Sequence, residues 1–478
     1  MQRLRVGYVG VALASYFAEE HNQYGRAIQG LEELSRELDF ELVAIPYGLT
    51  DVPMAEQAAR QLRAQEVDFL LIQNAACSLG EQILHLAQAA PRLGLWATPD
   101  PRQEGDIQLH SFVSMSHYAS ILKRYLRHQE TPFKWFYGHV EDEEFRRRLA
   151  ITIRSLTAIK KMATARIGWI GGLSPGFYNM MFDERKLLAR FGLRVQAHEL
   201  GEVIELAKRV NERDARSTVG ELKLAARAVQ TTDPALEKGA RLYHALKELA
   251  VQNGYSALAV ECWPKFQELY HVAPCMAYSW LGSEDGMAVA CEGDVLGAAS
   301  MLLLNYLTGR PGSATLLDLT AIDPHAATAL MWHCGVSPRH WANDDGIIWV
   351  DHVTLGRKSE NRYGVAGDLV FRAQEATITY IGDDAQRLLV LTSQIVERPQ
   401  KGFDGTRGWF SEFRLNQEPV SIQDLINTLL VRGHEHHYAV GQGNVSNELL
   451  EIAAWLKLRT VEKVPYQDYL QLEGVNVL

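Results

Sequence analysis

Residues 288–319 read AVACEGDVLGAASMLLLNYLTGRPGSATLLDL, and their pattern predicts a strand, a turn, a helix and a second strand in succession. The apolar run Met287–Cys291 has the length of a strand, and Asp294 is a good N-cap for a helix over Val295–Leu307. A glycine and a proline end that helix, and Ala314–Leu317 is a second buried run. This succession predicts a βαβ unit of an α/β fold.

An acid follows each apolar run, Glu292 after the first and Asp318 after the second. In a parallel βαβ unit both acids would lie at the carboxyl ends of neighbouring strands, where open α/β sheets bind their ligands. Two carboxylates at that edge could hold a hard divalent cation. The alternative is that Glu292 is only a turn acid and Asp318 only a helix-capping acid.

The composition is that of a globular protein with more than one core. The chain has 478 residues, of which 47% are hydrophobic and 22% charged, and this length predicts two or three domains. The net charge of −10 argues against a nucleic acid or an anionic membrane as partner. Five cysteines without Cys-x-x-Cys spacing predict a reducing, cytoplasmic location and no zinc knuckle.

Residues 1–165 are predicted to form an N-terminal α/β domain. The apolar run Val6–Ala14 mimics a short signal peptide, but glycines interrupt it and the amphipathic helix Asn22–Leu38 follows directly, so a first βα unit is favoured. The alternation then predicts a flavodoxin-like, doubly wound parallel sheet. Its further elements are predicted at Phe40–Pro46, Met54–Gln65, Phe69–Gln73, Gly80–Gln88 and Gly94–Ala97.

Residues 166–309 are predicted to form a second flavodoxin-like domain, with strands at Gly192–Ala197 and Ser256–Val260. Near its start, the turn Gly171–Gly176 leads into a helix predicted from about Phe177. Backbone N–H groups at such a helix N-terminus could hold an anion. No lysine follows as in a phosphate-binding loop, so a plain turn is favoured.

Residues 310–478 are predicted to form an antiparallel, barrel-like C-terminal domain, because strand-length runs between Gly and Asp turns replace the βα alternation. The predicted strands are Ile347–Leu355, Gly367–Phe371, Glu375–Ile381, Arg387–Val396 and Trp409–Leu415, and the predicted helices are Ile422–Leu430 and Val445–Leu458.

The segment GHEHHYAV, residues 433–440, places three histidines within four residues between those two apolar helix patterns. It should therefore be buried. As a strand it would direct His434 and His436 to one face and Glu435 and His437 to the other. One imidazole with two carboxylates suits Mn²⁺ or another divalent first-row ion better than a metal that prefers thiolates.

The Glu-x-Asp at Glu292, the Gly/Ala-rich helix ending Leu-Thr-Gly, Asp318 about two dozen residues on and a histidine near the C-terminus together resemble the L-fucose isomerase and L-arabinose isomerase superfamily. The resemblance is strongest over Tyr255–Val445. It implies a metal-dependent aldose–ketose isomerase in which Glu292 and Asp318 are both catalytic acids and metal ligands.

The resemblance also implies a histidine ligand. The best match is His437, six residues before the turn Gly443-Asn444-Val445, and His436 is the runner-up. His333 lies at the distance of a metal-ligating histidine of the arabinose isomerases, whereas L-fucose isomerases do without it. A structural role for His333 is the alternative.

The implied reaction moves a proton between C1 and C2 of an open-chain sugar. A cation that holds two adjacent sugar oxygens acidifies the C–H bond and stabilises the resulting ene-diolate. Glu292 and Asp318 would then divide the proton transfers, and the sequence leaves open which acid is the base. The residues implied to contact the sugar are Glu261, Trp263, Lys265, His333, His436 and Asn444.

The identity of the sugar depends on groups around its far end. A neutral aldose is favoured, with Trp263 either as an apolar wall for the sugar face or as domain-boundary packing. The alternative is sulfoquinovose, 6-deoxy-6-sulfoglucose, whose sulfonate would require an Arg or Lys. Candidates are Lys265, Arg362 and Arg407. Rival functions are a non-catalytic sugar-binding protein and a metal-dependent sugar lyase or epimerase.

The family resemblance further implies a homo-oligomer, a hexamer or a trimer, with sites at subunit interfaces. The N-terminal domain of one subunit would line its neighbour's site. The candidates for that contribution are Tyr16, His21, Asn74 and Ser78.

Overall fold

The structure is a computed structural model that describes residues 3–355 and 363–472. The chain divides into two compact units, Met1–Lys160 and Lys161–Leu478. The predicted α/β class is confirmed, because two parallel sheets and one larger mixed sheet alternate with helices along the chain. Along the described residues, no helix has both the length and the apolar character needed to cross a membrane.

The first unit is built on five parallel strands in the order β2-β1-β3-β4-β5, the order of flavodoxin-type sheets. Its fully buried core joins the strands to the helices through residues such as Leu62, Ile72, Leu86 and Leu95. The strands are β1 Leu4–Val11, β2 Phe40–Leu49, β3 Phe69–Asn74, β4 Leu93–Ala97 and β5 Phe133–Tyr137. The helices are α1 Gln23–Glu37, α2 Val52–Ala64, α3 Gln82–Leu86, α4 Ser111–Arg124 and α5 Glu143–Met162.

The second unit begins with a parallel sheet of four strands in the order β10-β9-β6-β7. The strands of this region are β6 Arg166–Ile170, β7 Arg194–His198, β8 Ala228–Gln230, β9 Ala257–Val260 and β10 Ala288–Ala290, of which β8 joins the next sheet. The helices are α6 Glu184–Phe191, α7 Leu200–Arg209, α8 Glu212–Ala225, α9 Asp233–Asn253, α10 Lys265–Tyr270, α11 Cys275–Glu284 and α12 Val295–Thr308.

The remaining strands form the mixed sheet, whose central part closes on itself. Antiparallel pairs connect β16, β15, β19, β11, β12 and β17 in that order, and β17 pairs again with β16, which closes a ring of six strands. The strands are β11 Ala314–Asp323, β12 Thr328–His333, β13 Ile348–Asp351, β14 Gly364–Val370, β15 Gln374–Gly382, β16 Arg387–Val396, β17 Thr406–Leu415, β18 Glu418–Pro419, β19 His437–Gln442 and β20 Arg459–Thr460. The helices are α13 Ile422–Val431 and α14 Ser446–Trp455.

The sequence prediction that the two acids end neighbouring strands of one parallel sheet is wrong. Strand β10 pairs with β9, whereas β11 lies in the six-stranded ring between β12 and β19. Asp318 does not end its strand, because β11 continues to Asp323 past a register shift between Leu319 and Ala321. The residues from Leu319 to Asp323 alternate between half-buried and exposed and lack the continuous apolar pattern of a core strand, which is why the sequence indicated an end there.

The helix predicted from about Phe177 is also absent. The chain forms one 3-10 turn, Tyr178–Met180, and the next α-helix begins only at Glu184. Asp183 is the N-cap of that helix, since its side chain accepts the backbone N–H of Arg185 at 2.9 Å. The glycine-rich turn before this segment therefore does not open a helix.

Helix α12 connects the parallel sheet to the ring. It is buried on nearly every side, and its Ser300 hydroxyl oxygen accepts the backbone N–H of Ile381 in β15 at 2.8 Å. Gly297 and Ala298 in its first turn are fully or almost fully buried, which allows the close approach of neighbouring elements. The N-terminus of α12 consequently lies beside strand β19, where the candidate site is formed.

Candidate active site and metal centre

Glu292 lies in a single 3-10 turn, Cys291–Gly293, between β10 and α12. Its backbone is in the left-handed region, with φ 62°, and Gly293 follows with φ 76°. A Cβ atom on Gly293 would collide with the carbonyl oxygen of Gly172, so only glycine fits there. The Ser174 N–H also donates to the Glu292 carbonyl at 3.0 Å. The glycine-rich turn noted in the sequence thus supports the Glu292 loop.

Asp318 and His437 face one another across the antiparallel pair of β11 and β19. Side chains at directly opposed positions project from the same face of the sheet. His437 Nε2 lies 3.6 Å from Asp318 Oδ1 and 3.4 Å from Glu292 Oε2. Of the three residues that the family resemblance indicated as metal ligands, His437 therefore approaches both acids, although Glu292 and Asp318 follow or belong to strands of different sheets.

Four polar atoms at this point are buried without a hydrogen-bond partner in the described part of the chain. They are Glu292 Oε2, Asp318 Oδ1, His437 Nε2 and His333 Nε2. Leaving such groups unpaired costs free energy, so their convergence indicates a missing partner. A first-row divalent cation binds N and O ligands at about 2.0–2.2 Å, which sets ligand atoms about 2.8–3.6 Å apart. The separations of 3.4 and 3.6 Å from His437 Nε2 fit such a cation, and two overlapping ligand groups share His437, one with Glu292 and His333 and one with Asp318 and His436.

Asp294 is the principal site residue that sequence reasoning missed. It was assigned only as a helix cap, and its Oδ1 does accept the Gly297 N–H at 2.8 Å. The same atom accepts the Tyr380 hydroxyl at 2.9 Å, and Oδ2 accepts Nδ1–H of the fully buried His437 at 2.9 Å. A carboxylate that fixes the proton on Nδ1 leaves the lone pair on Nε2 for a metal. The Glu-x-Asp spacing was the only signal for this role.

The electrostatics of the site favour positive charge. Burial opposes protonation of His437, but the bonded Asp294 carboxylate and the nearby Asp318 and Glu292 raise its pKa above the ordinary value. Burial raises the pKa of Asp318, against the effect of His333 and His437. Burial likewise opposes protonation of His333, but Cys334, Asp318 and Glu292 raise its pKa to about 10. The raised pKa values of these three groups show that the site binds protons readily, and a metal cation would compensate the same excess of negative charge.

His333 ends strand β12 and belongs to the same cluster. Its ring centroid lies 5.5 Å from that of His437, and its side chain is 1% exposed. The Cys334 backbone N–H donates to His333 Nδ1 at 2.9 Å, and the opposite nitrogen is the unpartnered one near the acids. The structure therefore brings His333 to the site, and a purely structural role would leave Nε2 without a function.

His436 also approaches Glu292, with Nε2 3.5 Å from Oε2. Its ring packs against Phe177 at 5.1 Å between centroids, and its Nδ1 lies 3.0 Å from Asn179 Nδ2. The predicted alternation of the histidine segment is wrong, because β19 begins only at His437 and the residues before it are not extended strand. His434 is instead stacked on Tyr438, at 5.0 Å between ring centroids.

A cavity of about 340 Å³ opens onto the two acids. Two tryptophans, Trp263 and Trp332, and three cysteines are among its lining residues. Its lining residues are Cys262, Trp263, Pro274, Cys275, Glu292, Asp318, Trp332, His333, Cys334, His352, Thr354 and Leu355. A polar cluster beside aromatic walls suits a small polyhydroxy ligand.

Glu261 and Lys265, which were expected to contact the sugar, do not line the cavity but support a neighbouring turn. Glu261 is fully buried at the end of β9, where its Oε2 accepts Lys265 Nζ at 2.9 Å. Lys265 also donates to the Gly171 carbonyl at 3.0 Å. This pair braces the glycine-rich turn that packs against the Glu292 loop.

Asn444 and Arg407 are not brought to the cavity either. Asn444 lies beyond the far end of β19, where its amide donates to Glu375 and its carbonyl accepts the Ser446 N–H. Arg407 is buried in an ion pair with Asp368. Both side chains are thus committed to structural contacts. Arg362, the third basic candidate, lies outside the described residues.

Comparison with known proteins identifies sugar isomerases. A sulfoquinovose isomerase from Priestia megaterium is 26% identical over 419 residues, covering 86% of this chain and 89% of that protein. One from Alkalicoccus urumqiensis is 28% identical over 371 residues, covering 77% and 80%. An L-arabinose isomerase from Aeromonas hydrophila is 23% identical over 274 residues, covering 55% and 54%. No family model matches the chain.

Proposed function

Because this chain belongs to the superfamily of L-fucose isomerase-like and L-arabinose isomerase-like aldose–ketose isomerases, we propose that its reaction depends on one divalent cation held by Glu292, Asp318 and His437. The observation that supports this proposal is the convergence of three unpartnered, buried ligand atoms, one from each residue. Oxygen and imidazole ligands suit Mn²⁺ or another first-row divalent ion. When bound, this ion supplies Lewis-acid stabilisation of negative charge on the sugar oxygens.

The two acids would carry out the proton transfers. Interconversion of an aldose and a ketose needs one group over C1 and C2 and another for the hydroxyl proton. Asp318, whose pKa is raised by burial, can hold a proton more readily than an exposed aspartate. Glu292 Oε2 lies 3.4 Å and Asp318 Oδ1 3.6 Å from His437 Nε2. The pair therefore offers two carboxyl groups at one small site, and either can be the base.

The two histidines would have different roles, His437 as a metal ligand and His333 as a hydrogen-bond donor. Asp294 fixes the proton of His437 on Nδ1, so that Nε2 is directed at the acids with a free lone pair. His333 accepts the Cys334 N–H at Nδ1, which places a proton on Nε2. His333 would then donate from Nε2 to a substrate oxygen or to an acid.

We propose sulfoquinovose as the substrate. The relatives that align with most of the chain act, by name, on this sulfonated sugar, whereas the L-arabinose isomerase aligns over 55% of it. A sulfonate requires a cationic partner, preferably a bidentate Arg. Lys265 and Arg407 are engaged elsewhere, so this partner would be Arg362 or a residue of a neighbouring subunit.

A neutral aldose is the second candidate substrate, because of the residues that line the cavity. The cavity lining found among the described residues contains no Lys or Arg, and two tryptophans form its aromatic walls. A methyl or hydroxymethyl end of a neutral sugar would fit such a lining without a charged partner.

The test is a panel of sulfoquinovose, L-fucose, D-arabinose, L-arabinose and D-xylose, with ketose formation followed by NMR. Mn²⁺-loaded protein should convert sulfoquinovose, chelation should abolish turnover, and added Mn²⁺ should restore it. Turnover of a neutral aldose alone would replace the proposed substrate. No ketose from any sugar, or full activity after chelation, would contradict the proposed function. Product identity would also separate isomerisation from elimination or epimerisation.

We further propose a cytoplasmic homo-oligomer, a hexamer or a trimer, in which the N-terminal unit of one subunit contributes to its neighbour's site. All five cysteines are free, which is consistent with a reducing compartment. The residues proposed to contribute are Tyr16, His21, Asn74 and Ser78. A light-scattering mass of three or six chains is expected, and a fully active monomer would contradict the assembly.

A further inference from the structure

Four of the five cysteines of the chain lie around the candidate cavity. Cys262, Cys275 and Cys334 line it, and Cys291 precedes Glu292. A polar sugar gives no reason for so many thiols on one wall. The proposed reaction uses none of their sulfur atoms.

Two of these thiols have the separation of ligands on one metal. Cys275 Sγ lies 3.7 Å from Cys334 Sγ. Zinc binds thiolate sulfur at about 2.3 Å in tetrahedral sites, which places two sulfur ligands about 3.8 Å apart. The observed separation needs almost no adjustment for such a pair.

His352 completes a group of three. One of its ring nitrogens and the two sulfur atoms all lie within 4.8 Å of one another. Cys275 begins helix α11, Cys334 follows strand β12, and His352 follows strand β13. Three separate elements of one compact unit thus direct metal-binding side chains to one point, a convergence that their sequence spacing does not require.

The contacts of His352 are compatible with ligation. His352 Nδ1 accepts the backbone N–H groups of Thr354 at 3.3 Å and Leu355 at 3.2 Å, and it lies 3.2 Å from Thr354 Oγ1, so Nε2 is the ring nitrogen that these contacts leave for a metal. In the neutral ring the proton is then on Nε2, and ligation through Nε2 requires it to move to Nδ1, where Thr354 Oγ1 can accept it. His352 is 5% exposed and lines the cavity, so its ring is held in place yet reachable from the cavity. A hydrogen bond at the ring nitrogen that does not bind the metal commonly orients a metal-binding histidine.

Cys291, His333 and Cys334 form an overlapping group that shares one sulfur. His333 is less suited to that role, because its Nδ1, which lies 3.2 Å from Cys334 Sγ, already accepts the Cys334 backbone N–H. Its other nitrogen faces the acids. Cys275, Cys334 and His352 are therefore the more available ligand set.

We propose that Cys275, Cys334 and His352 form a second cation site, selective for a thiophilic ion such as Zn²⁺ or Cd²⁺. Two sulfur ligands and one imidazole select soft or borderline ions, whereas the carboxylate site suits Mn²⁺. Three protein ligands would leave one position open, as in many non-structural zinc sites, and all three residues line the cavity. Binding releases the thiol protons. An ion at this wall narrows the space beside Glu292 and Asp318, so it should inhibit an enzyme that uses this cavity.

The test counts metal ions on the purified, full-length protein, and it does not require any activity. Protein kept reduced with a phosphine is exposed to excess Zn²⁺, desalted and analysed for zinc per chain. The parent should retain two ions, and the Cys275→Ser/Cys334→Ser double variant should retain one. Cys77→Ser changes the one cysteine in the other unit and should retain two.

Cobalt distinguishes the two sites directly. Co²⁺ bound by thiolates gives a strong sulfur-to-metal absorption in the near ultraviolet, which oxygen and imidazole ligands do not produce. The parent and Cys77→Ser should show this band, and the double variant should lack it. His352→Gln, which leaves both sulfurs in place, should weaken the binding that produces the band by about tenfold or more.

The same zinc count in the parent and in the double variant would overturn the second site. A normal cobalt band in the double variant would do so as well. Because these measurements concern stoichiometry and ligand type, their failure would leave the proposed isomerase reaction unaffected. Conversely, a protein that converts no sugar could still show both ions.

Discussion

Two clusters of side chains that could bind metal lie at the same cavity, and they differ in whether their ligand atoms have partners within the protein. In the carboxylate cluster of Glu292, Asp318 and His437, each residue has a buried ligand atom without a partner. In the thiol cluster of Cys275, Cys334 and His352, the sulfurs contact each other and His352 Nδ1 contacts Thr354. The first cluster therefore has unpartnered atoms that a cation could satisfy, whereas the side chains of the second contact one another or Thr354.

The difference follows from the chemistry of the side chains. A buried carboxylate without a partner is costly, and removal of its counter-charge leaves that cost in the folded protein. A buried neutral thiol behaves as a small apolar group with a weak donor and needs no ion. The carboxylate cluster also has a dedicated support, since Asp294 orients His437 and Tyr380 orients Asp294. Unpartnered ligand atoms together with residues that orient the ligands therefore indicate a metal site more strongly than the proximity of metal-binding side chains alone.

Replacement of either acid should give the largest loss. Glu292→Gln and Asp318→Asn should each lower kcat by about 10²–10⁴-fold, even where metal is retained, because proton transfer loses its acid or base. Steady-state ketose formation with Mn²⁺ measures this. Asp323→Asn is the matched control, since it changes an aspartate of the same strand that pairs with Arg398. An equal loss in Asp323→Asn would mean that disturbance of β11, and not of the acid, causes the effect.

Removal of the imidazole should mainly affect metal binding. His437→Ala should weaken Mn²⁺ affinity by about 10–100-fold or more, because it removes the imidazole nitrogen that lies 3.4 Å from Glu292 and 3.6 Å from Asp318. Titration calorimetry with Mn²⁺ measures the change. Unaltered affinity would transfer the ligand role to His436, the other histidine near Glu292.

Asp294→Asn should also weaken Mn²⁺ binding, but less than His437→Ala. An amide can no longer fix the Nδ1 proton of His437 as a carboxylate does, so Mn²⁺ affinity should fall by about tenfold. The melting temperature and the Mn²⁺ dissociation constant should be measured together. A lowered melting temperature with unchanged Mn²⁺ affinity would show that Asp294 serves only as the cap of α12.

Tyr380→Phe should have the smallest effect and serves as the control for Asp294. It removes one hydrogen bond to Asp294 Oδ1 and leaves the contact with His437 intact. The expected result is a loss of about 0.5–1.5 kcal/mol in the free energy of unfolding, with Mn²⁺ affinity close to that of the parent. Denaturant unfolding measures the first quantity. A metal defect as large as that of Asp294→Asn would mean that the whole chain of contacts positions His437.

Much of the fold was predictable because it depends on local patterns. The apolar run Arg387–Val396 has the same bounds in the sequence prediction and in β16, and Asp294 does begin helix α12. Such features follow from hydrophobic periodicity and capping chemistry within a few residues. The partner of a strand is not a local property, which is why β11 was placed in the wrong sheet.

The candidate site was predictable only in part. The resemblance indicated Glu292, Asp318 and His437, and the structure brings them together. The second role of Asp294 was hidden because a helix cap already explains an aspartate at that position. The thiol cluster was hidden for another reason. Cys275 and Cys334 are far apart in sequence, and no short motif connects them.

The most direct test of the central claim is anomalous diffraction from crystals grown with Mn²⁺. A single strong manganese peak should lie within about 2.0–2.3 Å of ligand atoms from Glu292, Asp318 and His437, with no manganese peak at the thiol cluster. Manganese bound at Cys275 and Cys334, or no peak between the two acids in crystals of active protein, would contradict the assignment of the carboxylate cluster as the metal centre.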